Sequence, residues 1–260
     1  MRKILKYTLF DLLRSRWTYL YFGFFLIFSS ALLLLSGDST KVIISLMNVI
    51  LILCPLIATM FGVMYCYNSR EFTELLLAQP LPRRAIFWGQ YLGVAFSLSL
   101  SLLLGIGLPF IFFGVVQADS LLSFLFLLAN GVVLSFIFSG LAFLIALRFD
   151  NKIRGFGMAI LLWLFFAVIY DGLLLILLFY FRDYPLENLS LAMSLFNPID
   201  LSRILLLLQL DTSAIMGYTG AVFQKFLGTS LGILLAFLTL GLWVLVPTIS
   251  MDRLARRKDF

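Results

Sequence analysis

The chain has 260 residues, 62% hydrophobic and only 12% charged, with a mean hydropathy of +1.08 and a formal charge of +6. A soluble domain carries about twice that fraction of charge, which argues against a water-soluble globule. The apolar runs are continuous and not alternating, which argues against a membrane β-barrel. The expected class is an all-α integral membrane protein.

Residues 1–16 come first. Ile4, Leu5, Thr8, Leu9, Leu12 and Leu13 gather on one side of a helical projection, and Lys3, Lys6, Asp11 and Arg14 take the other. That spacing predicts an interfacial amphipathic helix, with the charged flank of a first span as the alternative. No small-residue site closes the apolar run that follows, so a cleavable signal is not expected. Six spans are then expected, each long enough for a hydrocarbon core: 17–36, 42–65, 90–116, 121–147, 156–181 and 228–250.

The basic residues sort by side. Arg2, Lys3, Lys6, Arg14 and Arg16 precede the first span, and Arg70, Arg83 and Arg84 lie between the second and third. Arg148, Lys152 and Arg154 lie between the fourth and fifth, and Arg253, Arg256, Arg257 and Lys258 follow the sixth. Six spans put all of these on one side and leave Lys41, Arg182, Arg203 and Lys225 on the other. The positive-inside rule then predicts both termini in the cytoplasm. The excess charge reads as orientation and contact with anionic lipid, not as binding of nucleic acid.

Residues 68–89 form the most informative loop. Asn68 and Glu71 have the spacing of a helix-capping pair. Phe72, Leu75, Leu76 and Ala78 can pack on one side of a two-turn helix, and Pro80 and Pro82 stop it. Arg83 and Arg84 stand where the chain re-enters the headgroup layer. A helix resting on lipid is the alternative, but Glu71 and Glu74 would be repelled by an anionic leaflet, and acid mixed with leucine suits a protein partner better.

Glu71, Leu75, Leu76, Leu77, Pro80, Arg83 and Arg84 form E-x-x-x-L-L-L-x-x-P-x-x-R-R. This resembles the coupling helix of type 2 ABC transporter permeases, including type V exporter-like ones, and lies between spans two and three as theirs does. The resemblance extends to the first helix, the six spans and the helical segment before the last span. It implies that Glu71, Phe72, Glu74, Leu75, Leu76, Leu77, Pro80, Arg83 and Arg84 meet a cytoplasmic ATPase. It further implies a homodimer with two copies of that ATPase in a bacterial inner membrane. No G-x-x-x-x-G-K-[ST] occurs here, so ATP and Mg are expected on the partner, and the chain is expected to be neither an enzyme nor a holder of a cofactor.

The last long connection spans residues 182–227. Asn197-Pro198-Ile199-Asp200 is a good helix start, with a capping Asn, proline at the first helical position and an early acid. A helix is expected through Leu210, and Asp211-Thr212-Ser213 restarts one over Ala214–Phe226. The segment is similar to that of permeases in the systems that mature the copper site of nitrous oxide reductase. That implies a periplasmic β-helical partner, with Asn197, Pro198, Asp200, Arg203, Asp211 and Tyr218 as candidate contacts. Met47, Cys54, Met60 and Met64 are soft ligands in span two, but they make no convergent set, so no metal site is expected.

Asp171 is the one acid deep in a span, which costs about 2.5–3.5 kcal/mol unless it faces protein or water. It reads either as a pathway or dimer-interface residue, or as a local break beside Gly172 with the carboxylate reaching outward or to Arg182. Gly131, Ser135 and Ser139 recur at helical spacing, as do Gly228 and Gly232, and packing between helices is the simplest use of such stripes. Gly105, Gly107 and Pro109 are expected to kink or end span three. Residues 252–260 read as a basic inner-leaflet anchor. The expected function is a single-domain permease subunit, 1–260, coupling a partner's ATP hydrolysis to transport or transmission, with copper-site maturation as the specific reading. The alternatives are an exporter of lipid, drug or peptide, a membrane-embedded enzyme using Asp171, and a scaffold.

Overall fold

A computed structural model describes residues 1–36, 38–113, 118–181, 187–210 and 229–257. These residues are helical with short connections, and no strand occurs among them. The helices are α1 (Arg2–Leu13), α2 (Arg16–Leu35), α3 (Ser39–Asn68), α4 (Arg70–Leu77), α5 (Arg83–Phe112), α6 (Ala118–Arg148), α7 (Lys152–Leu164), α8 (Tyr170–Tyr180), α9 (Glu187–Leu195), α10 (Pro198–Gln209) and α11 (Ser230–Arg257). A π-helical turn, Phe165–Ile169, joins α7 to α8. Six stretches are long and apolar enough to cross a membrane: Arg16–Leu35, Thr40–Asn68, Arg83–Phe112, Leu121–Arg148, Lys152–Leu177 and Gly232–Arg256.

The six expected spans are therefore present, and several of their edges move. Span three begins at Arg83 and not at residue 90, because Pro82 takes the cap position and the chain turns straight into helix after it. Pro109 does not end that span, which runs on to Phe112. Span six continues to Arg257, so the expected basic tail begins as part of its helix. Gly228 and residues 114–117 lie outside the described residues, and residues 118–120, expected in the turn before span four, already belong to α6.

The middle of the bundle is α3, α5 and α6, each with more than half of its apolar window buried, 56%, 61% and 56%. α3 packs most extensively on α6, and α11 closes the far side of α6. α1 and α2 both lie across α5. In lipid no hydrophobic drive joins helices, so close approach and dispersion must do it. Gly89 and Gly105 supply that approach. A β-carbon at Gly89 would stand 2.9 Å from Ile4 Cγ2, and one at Gly105 would stand 2.9 Å from Phe25 Cβ and 3.0 Å from the Phe22 carbonyl oxygen. The small residues of α6 serve the same purpose. Gly131 faces Leu102 and Ile50, and the Ser135 hydroxyl is 3.1 Å from the Cys54 thiol. Cys54 is buried and also donates to the Gly131 carbonyl at 3.3 Å.

Ile4, Thr8 and Leu12 of α1 are buried, so the expected apolar side of the first helix rests on protein. Span five is the opposite case. Only 6% of its window is buried within the chain, against 28% for spans one and six. Gly105→Leu should lower the unfolding temperature in detergent through overpacking of about 1–3 kcal/mol. Gly107→Leu, where a β-carbon meets nothing within 4 Å, should leave it unchanged; thermal unfolding of both variants checks this.

Candidate functional site

Both ends of the bundle are informative. At one end α1, α4, the α6–α7 turn and the last turns of α11 converge. Tyr65 near the end of α3 donates to Thr8 of α1 at 3.2 Å, and the Tyr7 and Phe72 rings stack at 5.0 Å. Lys152 donates to Asn68 Oδ1 at 3.0 Å, and the Tyr67 hydroxyl to the Phe149 carbonyl at 2.6 Å. Arg84 of α5 lies 3.5 Å from Asp252 of α11, which also pairs with Arg256 at 3.0 Å. The four basic groups that the charge pattern sorts together therefore meet at one end.

α4 is held there from one side. Its cap is Ser69, without a side-chain capping bond, so the expected Asn68–Glu71 pair does not form. Asn68 is instead the last residue of α3 and is used by Lys152. Thr73 is the buried residue of α4 and accepts from Gln90 Nε2 of α5 at 2.8 Å. Phe72, Leu76 and Leu77 are half-buried beside it. Leu75 is 68% exposed, with Glu71, Glu74 and Ala78 exposed around it. The expected face is thus split: Leu76 turns inward with Phe72, while Leu75 and Ala78 turn out. Glu74 is steadied by Arg70 Nε at 3.0 Å. Pro80 is exposed, as are Arg83 and Arg84, and Arg84 sits 5.8 Å from the Trp88 ring.

At the other end α9 and α10 form a helical hairpin that enters the bundle. Pro198, Ile199, Asp200, Leu201, Ser202, Ile204, Leu205, Leu206 and Leu207 are buried, and α10 touches α3, α6, α11 and the π turn. The tip reaches deep. Asn197 Nδ2 donates to the Phe166 carbonyl at 2.8 Å, and Trp243 Nε1 to the Leu195 carbonyl at 3.2 Å. Phe166 and Trp243 lie near the middles of spans five and six. The π turn explains the first bond: an i to i+5 pattern displaces one carbonyl from its ladder, and Asn197 takes up the Phe166 oxygen. Asn197 also caps α10, its Oδ1 accepting from Ile199 N at 3.0 Å.

Asp171 finds its partner here. Arg203 Nη1 lies 2.9 Å from Asp171 Oδ2 and 3.2 Å from Asp200 Oδ1, while Asn197 Nδ2 donates to Asp200 Oδ2 at 2.9 Å. Asp171 thus reaches an arginine of α10, Arg203; the irregularity in span five is the π turn Phe165–Ile169, and Gly172, beside which a break was expected, lies within α8. Asn197, Pro198 and Asp200 are turned inward, so their expected place on an outward contact face is not the one they occupy. Arg203 is about one-third open. Asp211, Tyr218, Arg182 and the expected helix over 214–226 lie outside the described residues.

Around Asp200 stand Asn197 and Arg203 on its own helix and Asp171 of α8, which shares Arg203 with it.

Neither Gln90 nor Trp243 was singled out by the pattern, although each is a polar hydrogen-bonding group in an apolar run and so had to find a partner. The Phe166 carbonyl left no trace in the sequence.

Together these features define a polytopic helical membrane protein with an anchored amphipathic helix at its basic end and a re-entrant hairpin at the other. No family model matches the chain. A protein of Pseudomonas aeruginosa named "Probable ABC transporter permease protein NosY" is 30% identical over 180 residues, 66% of this chain and 66% of that one. A protein of the same name from Stutzerimonas stutzeri is 26% identical over 225 residues, 83% of this chain and 80% of its own length. The chain belongs to the ABC transporter permeases and is NosY-like within them.

One prediction concerns the hairpin. Arg203→Ala leaves Asp171 and Asp200 without their shared cation and should destabilise the protein by about 1–3 kcal/mol, read as a lower unfolding temperature.

Proposed function

We propose that this chain is the membrane subunit of an ATP-driven complex, paired with a second copy of itself and two copies of a separate cytoplasmic ATPase. One observation carries the reading: α4 is tied to α5 through Thr73 and Gln90 on its inner side, and presents Leu75 between Glu71 and Glu74 on its outer side. A short helix rooted in a span, with a leucine set between two acids on its free face, is suited to seat in a groove of a partner and to pass force into α5. The 260 residues contain no phosphate-binding loop, so nucleotide and Mg belong to the partner.

The basic end lies in the cytoplasm and the hairpin end faces the periplasm of a bacterial inner membrane, on the strength of the charge distribution. The bare surface of span five supports the homodimer. Residues such as Leu161, Val168 and Leu175 are more than half exposed there, and the Asp171–Arg203 pair opens on that span, where a second copy would cover it. The work done is transmission to a periplasmic β-helical protein in maturation of the nitrous oxide reductase copper site, a reading supported by likeness to NosY-named permeases over most of the chain. Export of a lipid, drug or peptide would use the same machinery.

A gentle detergent pull-down with mass spectrometry should recover a nucleotide-binding subunit in one-to-one ratio and a periplasmic protein. A lone chain with no ATPase would sink the proposal. Glu74→Ala with Leu75→Ala should reduce membrane-stimulated ATP hydrolysis at least about tenfold, the loss of one good anchor, while the detergent unfolding temperature stays that of the parent.

A further inference from the structure

At the basic end α2 leans on α5 and only lightly on α3. A cleft of about 510 Å³ opens between them, roofed by α1 and by the start of α4. This is within the range of roughly 300–1,000 Å³ of small-ligand sites. Its depth is apolar, formed by Phe61 and Met64 of α3. Trp17 of α2 and Tyr7 of α1, both more than half exposed, stand at its rim. Aromatic side chains of this kind settle at the membrane–water interface. The charged groups lining the cleft are Asp11 and Arg14, one turn apart on α1. Among the described residues neither is joined to the other or to a third group by an ion pair.

We infer that this cleft binds a phospholipid of the inner leaflet whose headgroup carries both a phosphate and a primary ammonium, as phosphatidylethanolamine does. The charge pattern selects it. Arg14 offers a planar donor fork to a phosphate oxygen, and Asp11 accepts from an ammonium a few ångströms away. A purely anionic headgroup would satisfy Arg14 and meet repulsion at Asp11. Phe61 and Met64 lie where the acyl chains must run, one to two turns into the bundle from Asn68, the end of α3. The cleft also borders the Tyr7–Phe72 stack that holds α4 to α1. A lipid seated there would brace α4 on the side that Gln90 does not reach. This goes beyond the permease reading and takes from it only the choice of leaflet.

The test uses the full chain, purified without any ATPase and exchanged into nanodiscs of phosphatidylethanolamine and phosphatidylglycerol with identical acyl chains, followed by native mass spectrometry of retained lipid. The parent should hold phosphatidylethanolamine over phosphatidylglycerol by about threefold, the value of one exposed charge pair. Asp11→Asn should erase the preference by admitting phosphatidylglycerol, and Arg14→Gln should lower retention of both. Lys6→Gln, on the same helix but outside the cleft, should change nothing. Met64→Trp fills the apolar depth without touching a charge and should also displace lipid, which keeps the proposal testable should a charge variant fail to fold. Equal retention of the two lipids by the parent, or parental retention in Arg14→Gln and Met64→Trp, would overturn it. Because no ATPase is present in the lipid assay, its failure leaves the coupling proposal untouched.

Discussion

A helix that stops halfway through a membrane must satisfy its own open end, and in this chain one side chain, Asn197, does most of that. It caps α10, takes the carbonyl displaced by the π turn of span five, and holds Asp200 in register for Arg203. Without water nearby, each unmet backbone group would cost several kcal/mol. The other open groups at the tip are met by Trp243 and Tyr170, which bond the Leu195 and Met193 carbonyls. The hairpin therefore depends on spans five and six for its hydrogen bonds, and span five depends on the hairpin for the partner of its one acid.

That dependence explains why span five can be bare. Little of its apolar length is fully buried in its own chain, yet polar bonds fix it along its length: Asn151 caps its start, Trp163 donates to the Ile52 carbonyl, the Phe166 carbonyl accepts from Asn197, and Asp171 meets Arg203. Polar bonds at defined depths replace the broad packing that α3, α5 and α6 enjoy. An element held this way is positioned without being rigidly embedded, and an apolar face of this extent in one chain calls for lipid or a second chain.

Much of this was legible in the sequence, for physical reasons. Continuous apolar runs announce spans, and Asn197-Pro198-Ile199-Asp200 announced a helix start that forms as read. A short helix forms where the stretch after Asn68 predicts one, but its faces differ from those expected, since a two-turn helix has too few residues to separate Leu75 from Leu76 by periodicity. Thr73, the residue that anchors it, is neither charged nor large and gives no signal alone. The depth of α10 was hidden for a different reason. Its leucines read equally well as an outer helix against the membrane surface and as a core helix, and only its contacts with α3, α6 and α11 decide. Likewise Asp171 could be seen to need a partner, but the partner lies thirty-two residues on, beyond any local pattern.

The arrangement constrains how motion could travel. A pull on α4 enters the bundle first at Gln90, one turn or two inside α5, and α5 is the most buried span. α5 would carry α1 and α2 with it, because the glycine crossings at Gly89 and Gly105 leave no slack between them. α3 and α6 form the next tightly packed pair, and α10 rests on both. A displacement of one half against the other would therefore be felt at the α10 contacts and at the Asp171–Arg203 pair, where polar bonds, unlike packed methyl groups, can break and re-form over small shifts. The two ends need no continuous rod between them. It is enough that the basic end moves α5 as a unit and that the hairpin is seated on its neighbours.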